Sequence, residues 1–406
     1  MPSRLAAATT ATGLATFALL YAPQPVLPLL AAEFGLTPGS ASLAVSAATG
    51  SLAVAVIPVA VLAERVGRRR VIVWSVFASA VLGLLLPLAP TYPAFLALRV
   101  LQGVATAGVP AVAMAYLADE AAAVGAAIGA LIAGNSAGGM VGRLLAGVAS
   151  DWLDWRAGLA LVGAFGLGCA AVAALLPRGK PVVRRPGGLR VALSDPVLLC
   201  QYAVAVLGVA AFVSLFNVVA FRLTGPLGVS AGAASLVFLA YAAGGACSAV
   251  AGRLADRHGR APVALTALGV TALGALTTLP DELVLVAVGL ALFTGGFFAA
   301  HSVAGGWVGA RARVKGPASG MYLFAFYVGS SAGGTAGSAA YGSWGWPGLV
   351  AVVTSWLALA ALAVVVARRL EVTRRTGGGS PRCDRGTGGS SRTSGPRSAA
   401  GPGPVR

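Results

Sequence analysis

The sequence predicts an all-α integral membrane protein, with twelve transmembrane helices in two pseudo-symmetric six-helix halves. Three observations predict it. Hydrophobic residues make up 57% of the 406 and charged residues only 10%, against about 25% charged in a soluble domain, which excludes a water-soluble globular enzyme. The apolar residues fall in runs of roughly twenty, enough at about 1.5 Å per residue to cross about 30 Å of hydrocarbon. Sequence features of the first half also return about 190 residues later, the mark of an internal repeat. The 56 glycines follow no three-residue period, so a collagen-like chain is excluded too.

Apolar runs between charged or Gly/Pro-rich breaks give spans at 9–31, 41–62, 71–89, 94–117, 122–149, 157–176, 197–220, 230–251, 262–279, 283–306, 318–341 and 348–368. The break between spans 4 and 5 is marked only by Asp119 and Glu120. Residues 1–176 form the first half and 197–370 the second. Between them, 177–196 carries Arg178, Lys180, Arg184, Arg185 and Arg190 and reads as a cytoplasmic linker. From 371 to 406 the composition falls to Gly, Ser, Arg and Pro, too poor in apolar surface to order itself, so a disordered basic tail is expected there.

The formal net charge is +17, from 29 Lys and Arg against 12 Asp and Glu. In a soluble protein that excess would point to nucleic acid. Here it sits in short loops and a tail, which is how membrane orientation is written, so no nucleic-acid partner is expected. With both termini inside, 25 basic residues face the cytoplasm, and only Arg156 and Arg222 lie on the other side. Arg99 and Arg143 fall within spans. The expectation is a multi-pass plasma-membrane protein with both termini cytoplasmic. Cys169, Cys200 and Cys247 lie in apolar runs and Cys383 in the tail, which gives no disulfide framework. The first apolar stretch runs into Pro-rich sequence that continues the membrane pattern, without a small-residue cleavage site before a soluble domain.

The repeat is carried by particular residues. Glu64, Arg65, Val66, Gly67 and Arg68 after span 2 correspond to Asp256, Arg257, His258, Gly259 and Arg260 after span 8. In span 5, Gly134-Asn-Ser-Ala-Gly138-Gly139 and Gly142 match Gly329-Ser-Ser-Ala-Gly333-Gly334 and Gly337 in span 11. Spacing of four puts Gly134, Gly138 and Gly142 on one face, where backbones approach closely. The loop Gly252 to Arg260 is close to Gly-x-x-x-Asp-Arg-x-Gly-Arg, a loop signature of the major facilitator superfamily of secondary transporters. The chain resembles that superfamily over about residues 9–370. The first-half copy departs from the signature at Ala60 and Glu64, and Asn135 stands where the antiporters' glycine-rich motif has Pro.

The resemblance implies two halves rocking about a central cavity lined by spans 1, 4, 7 and 10. It implies loops in which an acid at a helix end and several Arg clamp a neighbouring helix terminus, against the plainer reading of basic loops that set topology alone. It also implies glycines that serve either helix packing or a hinge at the seam between halves. Tyr21-Ala-Pro23-Gln24-Pro25-Val-Leu-Pro28 looks like a signature of a bacterial inner-membrane efflux subfamily. Three prolines remove backbone donors and kink span 1, so Tyr21 and Gln24 either line the cavity or flank a structural kink. Arg99 resembles a membrane-embedded family Arg and shares a face with Gln102 and Thr106; a charge there costs at least about 2.5 kcal/mol and marks a pathway, unless it snorkels. Arg143 reads as snorkelling or pairing with Asp151. In the second half the matching faces carry Ser214 with Asn217, and Thr294 with Phe298 and His301.

No phosphate-binding loop, metal-spaced His/Cys set or nucleophilic triad stands in the sequence, so neither enzymatic chemistry nor a cofactor or metal is expected. The reading is a monomeric transporter of a small organic solute, exported in exchange for protons. Two rivals stay open: an importer or facilitator of a small anionic metabolite, and a non-transporting membrane sensor or scaffold. Every acidic residue lies at a span end, loop or tail. His301 is therefore the first candidate proton carrier, because an imidazole changes charge near physiological pH.

Overall fold

The computed structural model describes residues 2–121, 123–177 and 189–377, and among these every regular element is helical. Span 1 is α1 (Pro2–Tyr21) and α2 (Leu27–Phe34), joined by a 3-10 turn at Gln24–Val26. Then come α3 (Pro38–Val66), α4 (Arg68–Leu85), α5 (Tyr92–Thr106) continued by α6 (Gly108–Glu120), α7 (Val124–Trp152) and α8 (Trp155–Ala173). After α9 (Leu189–Ser194), the second half runs through α10 (Pro196–Thr224), α11 (Ala231–Ser235) leading into α12 (Ala240–His258), α13 (Arg260–Thr277), α14 (Leu283–Arg311) and α15 (Lys315–Gly377). Eleven of these helical stretches are long and apolar enough to cross a membrane. The last is two spans: at Gly345 the backbone takes φ 66°, ψ −164°, a conformation that costs glycine little and other residues much, and Pro347 follows.

Local chemistry sets the ends. Thr37, Thr91, Asp154, Asp195 and Ser230 each accept a backbone N–H of the following helix through a side-chain oxygen, satisfying a donor that the first turn leaves orphaned. The repeated loop has its own signal. Gly67 and Gly259, at matching positions in the two halves, both close a helix with positive φ, 97° and 89°, so the glycine of the motif is required by the backbone itself.

Two sequence boundaries move. The expected tail begins at 371, yet α15 continues to Gly377, and Glu371 accepts a 2.8 Å hydrogen bond from the Trp307 indole. That bond to a side chain at the end of α14 holds the last helical turns. Within the expected linker, 189–194 form α9; Arg178, Lys180, Arg184 and Arg185 lie outside the described residues, as do 378–406.

Two cores result. One draws its buried apolar residues from Ala192 to Ala367 and the other from Ala8 to Leu176, with Tyr327 the sole second-half member of the latter. The halves meet where α3 faces α15 and α7 faces α11 and α12. With successive spans alternating in direction, one face of the molecule carries the start of α1 and the end of α15 (the terminal face) and the other carries the kink of span 1. Toward the opposite face the seam is closed. Ser331 Oγ donates to Ser46 O at 2.8 Å, Thr335 Oγ1 to Ser46 Oγ at 2.7 Å, and Ser230 Oγ to Asp151 Oδ2 at 2.7 Å. A Cβ placed on Gly147 would stand 2.4 Å from Ser235 Cβ. Toward the terminal face the glycines of the same helices have no such neighbour: a Cβ on Gly125 or Gly129 of α7, Gly252 of α12, or Gly316 or Gly320 of α15 would meet nothing within 4 Å. The molecule is a wedge, shut at one end of its seam.

Candidate substrate site at the seam

The kink of span 1 organises two polar clusters. Pro23 has no N–H, so the Leu19 carbonyl loses its helical partner. Arg99, from α5, supplies one instead: Nη1 donates to Leu19 O at 3.2 Å, Nη2 to Leu20 O and Nε to Ala44 O of α3, while Nη1 also bonds Gln102. Gln102 Nε2 donates to Ser79 O at 2.9 Å, and the Thr106 and Ser79 hydroxyls bond each other at 2.9 Å. Arg99 and Gln102 are 0% exposed and Thr106 1%. These three were expected on the cavity wall; they are instead sealed inside the first half. A guanidinium is held there because a proline-broken helix offers it main-chain oxygens, so Arg99 neither snorkels nor faces the pathway in this state.

The second cluster bridges the halves. Gln24, in the 3-10 turn, donates through Nε2 to Asn217 Oδ1 of α10 at 2.7 Å, and its Oε1 accepts from Arg143 Nε of α7 at 2.6 Å. Arg143 Nη1 donates to Gly139 O at 2.6 Å. The guanidinium carbon lies 4.5 Å from the ring centre of Tyr21, 4.7 Å from Tyr241 and 5.0 Å from Phe238, a cation among aromatic faces. Snorkelling and pairing with Asp151 are both corrected: Arg143 is 2% exposed, and Asp151 bonds Ser230. A bound Gln24 carboxamide and three ring faces hold the cation inward. Of the cavity candidates, Tyr21, Gln24 and Asn217 therefore converge, around an Arg that had been assigned elsewhere.

Behind them the second half presents an aromatic wall. Phe212 stacks on Phe297 at 4.0 Å and on Phe293 at 5.8 Å, and meets Phe298 and Tyr241 edge-on. His301, one turn from Phe297, pairs Nδ1 with the Tyr322 hydroxyl at 2.9 Å and packs against the rings of Phe297 and Phe326. Thr294 is fully buried, with no partner for its hydroxyl among the described residues. Phe212, Phe238 and Tyr241 gave no sequence signal beyond hydrophobicity. Arg143 did give one, since it follows Gly139 by one helical turn, beside the face of Gly134, Gly138 and Gly142.

The paired glycines pack within halves. A Cβ at Gly138 would meet Leu14 O at 2.2 Å, and one at Gly333 would meet Ala210 Cβ at 2.2 Å; Gly134, Gly142, Gly329 and Gly337 meet the same two helices, α1 and α10, just as closely. Close approach of α7 to α1 and of α15 to α10 requires them, and a hinge at the seam is not where they lie. Two of the set differ: Gly334 nears the seam, with Asn217 Nδ2 at 2.9 Å and Ser46 Oγ at 3.6 Å from its added Cβ, and Gly139 faces Arg143 Nη1 at 2.9 Å.

The loops at the terminal face differ between halves. Arg68 bonds Asp119, and Arg69 donates to Leu176 O and Ala174 O at 2.6 Å each, closing the C-terminal end of α8, where helix carbonyls favour a cation. Glu64 and Arg65 stand exposed beside them. In the second copy Asp256, Arg257 and Gly259 are exposed and Arg260 half-buried. Asp256 forms no ion pair among the described residues; the cation held on that side is Arg311, which binds Asp195 at 2.8 Å.

The Major Facilitator Superfamily model matches residues 9–226 and again 202–382, one copy on each half. The chain belongs to the major facilitator superfamily. It is 40% identical over 371 residues to the inner membrane transport protein YnfM of Escherichia coli, covering 88% of this chain and 89% of that one. It is 35% identical over 362 residues to the uncharacterized MFS-type transporter YybF of Bacillus subtilis, covering 86% and 90%. Among solved structures, a bacterial homolog of the human lysosomal transporter Spinster, inward-facing and unoccupied, superposes with a TM-score of 0.77 at 17% identity, over 92% of this chain and 98% of that one. Membership makes the protein a multi-pass membrane transporter, and the two-core architecture is the superfamily's.

Proposed function

We propose that this protein is a secondary transporter that exports a small organic solute across the plasma membrane by alternating access, with both termini in the cytoplasm. The wedge carries the reading. Among the described residues, hydrogen bonds and glycine contacts join the halves toward one face, which is what one end state of a rocking cycle needs. The basic residues concentrated on the terminal face support its assignment to the cytoplasm, which makes this state inward-open. The Tyr21–Pro28 segment, with its likeness to an efflux subfamily, supports export.

Alternating access is tested without knowing the substrate. A Cβ on Gly39 would lie 3.4 Å from Ala339 Cβ, close to the spacing of about 3.8 Å that a disulfide prefers. In a background without the native cysteines, Gly39→Cys with Ala339→Cys should cross-link and fix the protein inward-open. A third cysteine, at Gly320, should then react fully with a membrane-impermeant maleimide from the cytoplasmic side. Reduction should return it to partial protection. Equal reactivity in both states would mean a static scaffold, and labelling from both sides of the membrane would mean a pore. Direction is read in cells: deletion should raise accumulation of an exported labelled compound. Coupling to protons needs a titrating group at membrane depth, and His301 is the histidine placed there. Loss of pH-gradient drive with counterflow retained in His301→Gln identifies the carrier.

A further inference from the structure

We infer that Arg143, Gln24 and Asn217 form the recognition site for an organic monoanion, a carboxylate on an apolar or aromatic body, and that its binding unlatches the opposite face. The inference rests on the transporter reading above and names the substrate class for it.

The four arginines near this end of the membrane are not equally provided for. Arg222 binds Asp281 at 2.8 Å and three main-chain carbonyls, Arg156 binds Glu33 at 2.5 Å, and Arg99 has three carbonyls and an amide oxygen. Arg143 has Gln24 Oε1, one carbonyl, the Tyr241 hydroxyl and ring faces, and no carboxylate within ion-pair distance among the described residues. A buried guanidinium without a counter-charge is costly, and an arriving anion removes that cost.

A second donor points the same way. Asn217 is 0% exposed, and its Nδ2 has no hydrogen-bond partner among the described residues. A buried donor left unpaired costs about 1–3 kcal/mol. The Gln24 carboxamide lies between it and Arg143, bonded to both residues. A carboxamide has the planar outline of a carboxylate. Gln24 therefore occupies, within the chain, the place of the ligand's charged group. A carboxylate is the better occupant, because it accepts from Arg143 with full charge and from Asn217 Nδ2, which the Gln24 amide nitrogen cannot satisfy.

Approach from the open side is built in. Gly139 lies one turn of α7 nearer the terminal face, and a Cβ there would press on Arg143 Nη1 at 2.9 Å, so α7 itself places no side chain over the guanidinium on that side. The ligand's apolar body then meets Tyr21 and the Phe212–Tyr241–Phe298 wall. Binding also has a mechanical consequence. Displacing Gln24 breaks its bond to Asn217, a link between the halves near the opposite face, so the ligand loosens the seam that must open next. On the far side of Gln24 a cavity of about 260 Å³, lined by Pro25, Pro28, Ser150 and Asp151 among others, already reaches toward that exit.

The experiment measures binding, so it stands or falls apart from flux. The purified full-length protein is titrated with 3-phenylpropionate, naphthoate and hexanoate, and with the matching amides, by thermal unfolding and calorimetry. The carboxylates should bind at least about tenfold more tightly than their amides, as charge-assisted bonds require. Gln24→Glu places a tethered carboxylate at the site. It should fold with a raised Tm and lose carboxylate binding, whereas Arg143→Gln should lose the preference for the anion. Carboxylates no tighter than amides in the unaltered protein, or a Gln24→Glu variant that binds them normally, would overturn the assignment. Alternating cysteine accessibility with no anion preference would leave transport intact and sink this inference alone.

Discussion

The two halves share a fold, yet their membrane interiors are held by opposite chemistry. In the first half a guanidinium ties three helices: Arg99 of α5 reaches carbonyls of α1 and α3, and Gln102 passes the network on to α4. The residue 192 positions later, Ala291, is exposed, and the interior of the second half is packed by rings, with Phe212 between Phe297, Phe293 and Tyr241. The difference follows from the kink. Pro23 and Pro25 break span 1 and expose main-chain oxygens that need donors, while its counterpart α10 runs unbroken from Pro196 to Thr224 and needs none, so apolar packing suffices. A bundle can be closed by a polar clamp or an aromatic stack. The Arg99 clamp stays sealed within the first half, whereas the aromatic stack stands beside Arg143 at the seam.

That contrast can be broken at several points. Arg99→Leu should cost most, about 4 kcal/mol, because it strands the Leu19, Leu20 and Ala44 carbonyls in a dry interior; Arg99→Lys should recover only part, since one ammonium cannot span three helices. Unfolding in mixed micelles measures both, and a tolerated leucine would show that water replaces the clamp. In the aromatic half Phe212→Ala should cost about 3 kcal/mol, and Phe212→Leu no more than about 1.5, by the same assay. Equal losses for leucine and alanine would mean that ring stacking, not volume, holds that wall.

The halves should behave alike where their backbones do. Gly138→Val and Gly333→Val each push a branched side chain into a neighbouring helix 2.2 Å away, and each should cost about 2 kcal/mol. A large gap between them would show that one half can shift its helices apart where the other cannot.

At the terminal-face loops the effects on stability shrink and the comparison turns to function. Asp119→Asn removes a half-exposed partner of Arg68 and should cost at most about 1 kcal/mol. Asp256→Asn should leave stability unchanged, since Asp256 has no ion pair among the described residues, yet it should slow transport if its partner appears only when this face closes. Normal flux in Asp256→Asn would reduce the loop to a topological signal. The smallest effect belongs to the end of the chain. Stopping after Gly377 should leave expression, stability and flux unchanged, whereas stopping after Arg369 removes the Glu371 acceptor of Trp307 and should cost about 1 kcal/mol.

The sequence by itself determined what depends on local length and period. Apolar runs of one bilayer's thickness, a repeat of loops and glycines, and basic residues gathered at alternate breaks give twelve spans in two halves, because each property is read along one dimension. Gly67 and Gly259 were legible as a motif for the same reason: a helix end with positive φ demands glycine wherever it falls. The kink at Pro23 was legible too, since a missing N–H is a fact of composition. Its partner was not. Which side chain answers the Leu19 carbonyl depends on how α5 is rotated against α1, and the residue that does so stands 80 positions away. That rotation buried Arg99 in the first half and left Arg143, which looked peripheral, between the halves beside Gln24 and Asn217. Depth in the membrane is written in the sequence, but the direction a side chain faces is set by helices that meet only in the fold, and for a charged group direction decides whether it holds the structure or waits for a ligand.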